Sequence, residues 1–573
     1  MIAYMNQIIT LLFLSCLLLK GSPAYTQPTF KYDLVIYGAT SAGVAAAIQG
    51  ARMGKSVLLI EPTKRIGGLT TGGLGATDIG NKAAIGGISR EFYQNIQTYY
   101  AQPEHWKWQK KEDYKDGGQA RTEPGEEAMW TFEPSAALQV YQQMLAKEEV
   151  EVVYEERLNR ATGLIKEGNV IQEIEMESGM IYQGKVFIDA TYEGDLMAAA
   201  GVSYTIGREP NRRYGETLNG VQANKINLSL TGRISRNGRN HNFIDRVDPY
   251  HIPGDPTSGL LPFINPNPPG VDGEGDNKIQ AYCFRMCLTD HPDNRIPFQK
   301  PADYNELDYE LLFRNYEAAE DLNTMYSYGV PYLPWANSAM PNRKTDTNNK
   351  HGFSTDFIGQ NYAYPEASYE ERQAIVEAHR NYQKGLMWTL AYHPRIPEKV
   401  RNEVSRWGTP KDEFGRSDGW PEQLYIREAR RMVSDYVMTQ RHCEALETAE
   451  DPIGLAAYTM DSHHVQRYVD ANGYVQNEGN VEAGVVMPYP ISYRAIVPKP
   501  SEAANLLVPV CLSASHIAFG SIRMEPVFMV LGQSAAMAAV LAIEYGTSVQ
   551  DVEYAKLKPL LLAAKQRLQW KQQ

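Results

Sequence analysis

The sequence predicts an α/β protein with a parallel sheet, a β-meander in place of one crossover helix, and an inserted α+β domain. Three observations support this prediction: a strand–helix–strand unit over residues 32–61, short alternating strands over residues 160–184, and an Ala/Met-rich helix over residues 526–545. The chain has 573 residues, far more than one typical core supports, so at least two structural units are expected.

The strand–helix–strand unit carries a variant of the dinucleotide fingerprint G-x-G-x-x-G. An apolar strand over residues 32–37 precedes a proline-free, Ala-rich helix over residues 41–53, with Gly38 and Gly43 at the outer fingerprint positions. Gly38 permits a tight turn, and Gly43 lets the helix approach the strand closely. The amides at the helix start would then face a pyrophosphate, whose charge the helix dipole favours.

Two further residues of this unit fit a nucleotide site. Thr40 occupies the middle fingerprint position, which is tolerable if its φ stays negative, and its hydroxyl could donate to a phosphate. Glu61 ends the second strand, 23 residues after Gly38, where a carboxylate can accept hydrogen bonds from ribose hydroxyls.

A second glycine-rich segment, RIGGLTTGGLG, follows at residues 65–75. So many glycines indicate backbone lying against something flat or bulky, although a mobile surface loop is the alternative. The meander over residues 160–184 then replaces the helix expected of a nicotinamide dehydrogenase, and it leads into a buried strand that ends at Asp189-Ala190-Thr191.

Five motifs together resemble the FAD-dependent oxidoreductases, and in particular their exported bacterial members. They are YGATSAGVAAAIQ, GKSVLLIEP, GGLTTGGLGATDIGN, DATYEGDLMAAAGV and RMEPVFMVLGQSAA, which begin at residues 37, 54, 67, 189 and 523. The resemblance runs from about residue 31 to about residue 550. It implies the Rossmann-like FAD-binding fold of the glutathione reductase and succinate dehydrogenase type. The superfamily motif R-x-G-G-R-x-x-[ST] is present only as Arg65-x-Gly67-Gly68, with Leu69 and Gly72 at its last two defined positions.

The resemblance implies FAD as the cofactor and no nicotinamide. The residues that it assigns to FAD are Gly38, Thr40, Ser41, Ala42, Gly43, Glu61, Arg65, Gly67, Gly68, Thr71, Asp189, Thr191, Arg523 and Met524. It also implies that the last helix aims its positive end at the flavin, which would stabilise the anionic reduced form.

The chain divides into four predicted segments. Residues 1–24 form a signal peptide, residues 31–204 and 421–560 form the two parts of the FAD-binding domain, and residues 205–420 form the substrate domain. The substrate domain is rich in Tyr and Trp, and its segment 265–270, NPNPPG, cannot be regular structure. In the second part of the FAD-binding domain, residues 423–446 are predicted to form an amphipathic helix and residues 505–511 a buried strand.

The first residues predict export. The predominantly apolar segment 8–19 is too short for a membrane span of about 20 residues, and Ser22-Pro23-Ala24 fits a cleavage site. We therefore expect a periplasmic or secreted protein that starts near Tyr25 and has no stable membrane insertion. The segment before the apolar run lacks Lys and Arg, so a buried N-terminal helix stays open as the alternative.

Composition argues against several ligand classes. The net charge of −12 disfavours nucleic acid, which needs a concentrated basic surface. Four cysteines would survive processing and none forms a C-x-x-C pair, so we expect neither an iron–sulfur cluster nor a metal site. Cys283 and Cys287 are interpreted as core residues, with a disulfide as the less favoured alternative.

Flavin carries out hydride transfer, so the protein must supply a proton-handling group. The candidates are His516, Arg523 and His463, with His516 preferred because His516 and Arg523 flank the loop that enters the last helix. The adjacent His463 and His464 would point apart, which disfavours a shared metal. Arg523 would hold either the cofactor or a substrate carboxylate.

The predicted substrate is a small hydroxyl-bearing molecule, such as a sugar or sugar acid, with an unidentified electron acceptor or donor. Trp106, Trp108 and Trp130 suit a sugar ring, or else they pack at a domain interface. Alternatives are a fumarate-reductase-like reductase of an unsaturated acid, a polysaccharide lyase or hydrolase, and a carbohydrate-binding protein on the same fold.

Overall fold

The structure is a computed structural model that describes residues 29–223, 241–244, 246–326 and 329–570. The predicted signal peptide, residues 1–24, lies outside these ranges.

Twenty strands and twelve α-helices make up the regular structure of the described residues. The strands are β1 (Thr29–Tyr37), β2 (Val57–Glu61), β3 (Glu151–Tyr154), β4 (Leu164–Glu167), β5 (Val170–Glu175), β6 (Ile181–Asp189), β7 (Tyr204–Thr205), β8 (Met286–Thr289), β9 (Arg295–Pro297), β10 (Trp335–Met340), β11 (Lys344–Asn349), β12 (Gly408–Pro410), β13 (Arg431–Met432), β14 (Pro452–Ala456), β15 (Met460–Ser462), β16 (Gln466–Val469), β17 (Val475–Glu478), β18 (Val481–Ala483), β19 (Tyr489–Ser492) and β20 (Leu506–Leu507). The helices are α1 (Ser41–Arg52), α2 (Gly68–Thr71), α3 (Gly87–Ala101), α4 (Pro134–Lys147), α5 (Asp195–Ala199), α6 (Glu310–Glu317), α7 (Tyr369–Tyr392), α8 (Glu398–Val404), α9 (Gln440–Cys443), α10 (His516–Ile522), α11 (Glu525–Tyr545) and α12 (Tyr554–Ala563).

The main sheet has seven strands in the order β3-β2-β1-β6-β5-β4, with β20 paired to β6. Strands β3, β2, β1, β6 and β20 run parallel, whereas β4 and β5 form an antiparallel meander that leads into β6. The predicted α/β class with a β-meander crossover is therefore confirmed. Tyr37 is opposite both Ile60 and Asp189, so the carboxyl ends of β1, β2 and β6 meet at one edge.

Helix α11 is the central helix of the main unit. All its residues from Glu525 to Ala542 are buried, and it packs closely against α1. Among the described residues it alone is long and apolar enough to cross a membrane, but 94% of its apolar window is buried inside the protein. Its hydrophobicity is thus explained by its place in the core.

A second unit holds the antiparallel five-stranded sheet β10-β11-β8-β12-β9 and the helices α6, α7 and α8. It has its own apolar core, in which Trp335, Phe313 and Leu390 are almost completely buried. Residues 265–270 contain no helix or strand, as the proline pattern predicts. The boundaries at residues 204/205 and 420/421 stay predictions.

The helix predicted over residues 423–446 is wrong. Only α9 is helical there, and residues 424–432 form a buried, non-helical stretch. Arg427, Arg430 and Arg431 are buried and paired with carboxylates, so a pattern that resembles a solvated helix face belongs to an internal ion-pair network. The strand predicted over residues 505–511 is also shorter, since only Leu506–Leu507 pair with β6.

The cysteines agree with the interpretation as core residues. Cys283, Cys287, Cys443 and Cys511 are all buried and free. Of the three tryptophans suggested for a sugar, Trp130 is completely buried and stacks on Tyr93, Trp106 donates its ring N–H to the carbonyl of Tyr100, and the partly buried Trp108 donates its ring N–H to Asp412.

The contact between α1 and α11 gives a direct test of this packing. A Cβ added at Gly532 would lie 2.1 Å from the carbonyl oxygen of Ala42. In an open helix, Gly→Ala stabilises by about 1 kcal/mol. We expect Gly532→Ala instead to lower the free energy of unfolding by about 1–3 kcal/mol, because backbone must shift. Thermal unfolding would show a lower midpoint, whereas the control Gly484→Ala, at an open position, should leave it unchanged. A stabilised Gly532→Ala variant would contradict the packing.

Candidate functional site

The turn between β1 and α1 requires glycine at both outer fingerprint positions. Gly38 has φ +94, and a Cβ there would lie 2.7 Å from Thr191 Cγ2. A Cβ at Gly43 would lie 2.0 Å from the carbonyl oxygen of Gly38. Ser41 and Ala42 begin α1 at this turn, and the first amides of a helix have no carbonyl partner within it. These amides are the donors that a pyrophosphate would use.

Thr40 keeps the negative φ that the sequence analysis requires, at −64. Its hydroxyl, however, donates to the carbonyl of Ala190 at 2.7 Å and accepts a long hydrogen bond from the amide of Gly43. The threonine therefore caps α1 and ties it to the end of β6. Its proton is directed to the protein, which differs from the expected donation to a phosphate.

Glu61 lies buried at the end of β2 and accepts hydrogen bonds from the amides of Ala39 and Thr63, at 3.0 and 2.8 Å. Burial raises the pKa of Glu61 to about 7, although these two hydrogen bonds oppose it. A cleft of about 470 Å³ opens just beyond it. Among the lining residues are Thr63, Lys64, Arg65, Glu155, Arg157 and Glu422. Carboxylate and cleft together suit the ribose and base of an adenosine.

The second glycine-rich segment is packed, so the surface-loop alternative is wrong. A Cβ at Gly67 would lie 2.8 Å from Tyr141, and a Cβ at Gly68 would lie 2.3 Å from the Tyr192 hydroxyl. The bulky groups against this backbone include the protein's own tyrosines. Arg65 donates to the carbonyl of Thr71 at 2.9 Å and lies over the Phe414 ring, so it braces the segment.

The turn at the end of β6 is held by its own side chains. Asp189 accepts hydrogen bonds from the amides of Thr191 and Met197, at 3.0 and 2.8 Å. Burial raises the pKa of Asp189 to about 6. Asp189 and Thr191 therefore shape the backbone under the fingerprint turn, and the structure gives neither side chain a free donor toward it.

Glu525 was not assigned a role by the sequence analysis, although it stands in the motif RMEPVF. It is the first residue of α11 and is buried, and its carboxylate accepts hydrogen bonds from Ser41, Tyr192 and Thr70. Met524, also buried, is the residue before α11. The signal that could have identified Glu525 is an acidic residue at the first position of a long, predominantly apolar helix.

A cluster of arginines and carboxylates lies next to the start of α11. We call it the Tyr425 cluster: Tyr425, Arg285, Arg427, Arg523, Asp346, Asp356, Asp461 and His463. The guanidinium carbons of Arg427, Arg523 and Arg285 lie 4.6, 5.8 and 6.0 Å from the Tyr425 ring centroid. Arg523 also donates to the Tyr425 hydroxyl at 2.8 Å. Sequence analysis missed Tyr425 and Arg427 because it placed both on a helix.

Each arginine of the Tyr425 cluster has a carboxylate partner. Arg523 pairs with Asp461 at 3.0 Å, Arg427 with Asp356 at 2.9 Å, and Arg285 with Asp346 at 2.7 Å. The buried Nε atoms of Arg427 and Arg523 nevertheless have no hydrogen-bond partner among the described residues. A buried N–H without an acceptor is costly, so these two donors indicate a place for a ligand's acceptor.

His463 lies within the Tyr425 cluster, between two carboxylates. Its Nδ1 is 2.9 Å from Asp356, and its Nε2 is 3.4 Å from Asp461. Burial alone would raise the pKa of Asp461, but its contacts with His463, Arg523 and Arg427 hold it at about 2. Arg523 and His463 are thus brought together through Asp461, as two of the three predicted catalytic candidates.

His516 is placed differently, although it is close in space. It is the first residue of α10 and is buried, with Nδ1 2.7 Å from Glu428 and Nε2 3.0 Å from Ser462. Burial and the neighbouring Arg431 lower the pKa of His516 to about 3. Both ring nitrogens are therefore used inside the protein, and His516 anchors β15, the strand that carries Asp461.

Within the ranges that the structure describes, no group of three or more His, Cys, Asp or Glu side chains is arranged to hold a metal ion. The groups that fit FAD are the glycine turn, the start of α1 and Glu61 beside its cleft. The unpartnered donor of Arg523 next to α11 fits the flavin end.

The chain is distantly similar to several solved structures. The L-amino acid deaminase from Proteus vulgaris is 15% identical over 33% of this chain and 54% of that chain, with a TM-score of 0.23. The Sdh1 complex of Mycobacterium smegmatis is 15% identical over 32% and 42%, with a TM-score of 0.22. OxyS anhydrotetracycline hydroxylase from Streptomyces rimosus is 13% identical over 32% and 36%, with a TM-score of 0.22.

The chain thus spans about a third to a half of the length of these structures. None of the curated proteins matches the sequence. The sequence model of the family described as FAD dependent oxidoreductase, in contrast, matches residues 33–561. The protein is therefore an enzyme that uses FAD, and it belongs to the FAD-dependent oxidoreductase family.

Proposed function

We propose that the enzyme transfers a hydride between FAD and the hydroxyl-bearing carbon of a small carboxylic acid, such as a sugar acid. The observation that carries this proposal is the pair of unpartnered donors, Arg427 Nε and Arg523 Nε, beside the Tyr425 ring. Arginine binds carboxylates with directed, charge-assisted hydrogen bonds, so an anionic substrate suits this place better than a neutral sugar.

The guanidinium groups are already fixed before a ligand arrives. Asp461 and the Tyr425 hydroxyl hold Arg523, while Asp356 and the side-chain oxygen of Asn349 hold Arg427. Because both partners are in place, little side-chain entropy would be lost when a carboxylate binds. The Tyr425 ring, buried among three arginines, lies next to these donors.

When bound, FAD supplies the hydride chemistry, and the chain must supply the proton transfer. His463 is the best-placed group. Asp356 accepts from Nδ1 at 2.9 Å, which leaves Nε2, with Asp461 only at 3.4 Å, to take a hydroxyl proton. Asp356 would then stabilise the imidazolium, as a carboxylate does behind a catalytic histidine. His516, whose nitrogens are both engaged, acts through Ser462 as a positioning residue.

A second candidate function is reduction of an unsaturated acid. The contacts His463–Asp461 and Asp461–Arg523, at 3.4 and 3.0 Å, form a continuous path along which a proton could reach Arg523. The same two Nε donors would hold the acid. Anaerobic mixing separates the functions: hydroxy acids should bleach the flavin, whereas in the alternative only an external reductant does so and unsaturated acids restore its colour.

We also propose that the protein is exported. The support is the apolar segment followed by Ser22-Pro23-Ala24. Nucleic-acid binding is not part of the proposed function. The amino-terminal sequence of the protein purified from its native host should begin near Tyr25. The intact Met1 terminus would contradict export by cleavage.

The role of His463 predicts a specific kinetic loss. His463→Gln should lower the rate of anaerobic flavin reduction by about 10²-fold or more, because general base catalysis is typically worth that much. The flavin content should stay unchanged. Stopped-flow absorbance measures the rate, with the exposed His251→Gln as control. If His463→Gln keeps full activity and His516→Ala instead loses about 10²-fold, His516 is the base.

The role of Arg523 predicts a loss that depends on the substrate's charge. Arg523→Lys keeps the charge but not the fixed guanidinium, so KM for a hydroxy acid should rise about tenfold to a hundredfold. A neutral alcohol of the same size should show little change. The exposed Arg494→Lys is the matched control. Equal effects on acid and alcohol would contradict carboxylate binding, and loss of FAD would assign Arg523 to the cofactor.

A further inference from the structure

Glu525 is a buried carboxylate at the point where two helices begin. It is 2% exposed, and it accepts hydrogen bonds from Ser41 Oγ at 2.5 Å, Tyr192 Oη at 2.7 Å and Thr70 Oγ1 at 3.0 Å. Ser41 is the first residue of α1, and Glu525 is the first residue of α11. The carboxylate therefore lies in direct contact with the turn that receives the cofactor's diphosphate.

No cation neutralises this carboxylate. Its hydrogen-bond donors in the described chain are all neutral hydroxyls, and no ion pair includes it. The titratable groups that face it are Tyr192, Tyr141 of α4 and Tyr93 of α3. Burial raises the pKa of each of these tyrosines well above its ordinary value, so all three stay neutral. Burial raises the pKa of Glu525 as well, but from the ordinary range of a carboxyl group, so it is the one group of this set that titrates below the tyrosines.

We propose that Glu525 controls how Ser41 contacts the FAD diphosphate, and that its carboxyl is protonated when FAD is bound. An ionised Glu525 has no proton, so Ser41 must donate its own hydroxyl proton to it and turn a lone pair toward the diphosphate. A protonated Glu525 donates to Ser41 Oγ across the same 2.5 Å contact. The Ser41 proton is then free to point at a phosphate oxygen.

The direction of the pH dependence follows from charge. Burial already raises the pKa of Glu525, although the hydrogen bonds from its three hydroxyl donors lower it. A bound diphosphate adds negative charge nearby and raises that pKa further. The protonated form therefore binds FAD more tightly. This gain is fully present below the pKa of the FAD-free protein and is lost as pH rises through the pKa of the FAD-bound protein.

Release of FAD from the purified holoenzyme tests the proposal through the recovery of flavin fluorescence after dilution. For the wild type, release should accelerate with pH by up to about tenfold per pH unit within the titration window. Glu525→Gln should release FAD slowly at every pH, because its amide always donates to Ser41. Ser41→Ala should lose the pH dependence and release FAD faster. Glu544→Gln, at the exposed far end of α11, is the matched control.

A second measurement needs neither release nor a stable apoprotein. Infrared spectra of the FAD-loaded enzyme should show the C=O stretch of a protonated carboxyl group, and this band should be missing from Glu525→Gln. The proposal is overturned if wild type and Glu525→Gln share the same pH dependence of release. It is equally overturned if the FAD-loaded wild type shows no protonated-carboxyl band that disappears in Glu525→Gln.

Discussion

The whole site depends on the close approach of α1 and α11. Gly532 lies against the Ala42 carbonyl, and Ser41 and Glu525 meet at 2.5 Å, so the amino-terminal ends of both helices converge at one edge of the main sheet. Each helix contributes a partial positive charge at that end. Two such ends together favour an anion, which explains how an acidic protein with no basic stripe can hold a diphosphate and a reduced flavin.

Beyond this edge the protein uses buried ion pairs to fix the groups that we propose for catalysis. Each arginine near Tyr425 has a carboxylate partner, and the segment that supplies Tyr425, Arg427 and Arg431 is buried and non-helical. Buried pairs add little net stability, but breaking one leaves an uncompensated charge. Their effect is to hold guanidinium groups and His463 in one arrangement. The substrate is thus expected to meet donors that need no rearrangement.

The strand–helix–strand unit could be predicted from sequence because its steric demands are local. Gly38 and Gly43 stand where only glycine fits, and apolar runs mark β1, β2 and β6. The Tyr425 cluster could not be predicted in the same way. Its members come from segments distant along the chain, and the spacing of charges over residues 423–446 matches a helix as well as an internal ion-pair network. No local sequence pattern around Asp356 or Asp461 predicts their contact with His463.

The most direct test of the account is a crystal structure of the FAD-loaded enzyme. It should place the diphosphate at the first amides of α1, the adenosine beside Glu61, and the isoalloxazine ring between the start of α11 and the Tyr425 cluster. Arg523 Nε and His463 Nε2 should then face one small space next to the ring. A diphosphate away from Ser41, or a ring facing away from Tyr425, would contradict the account.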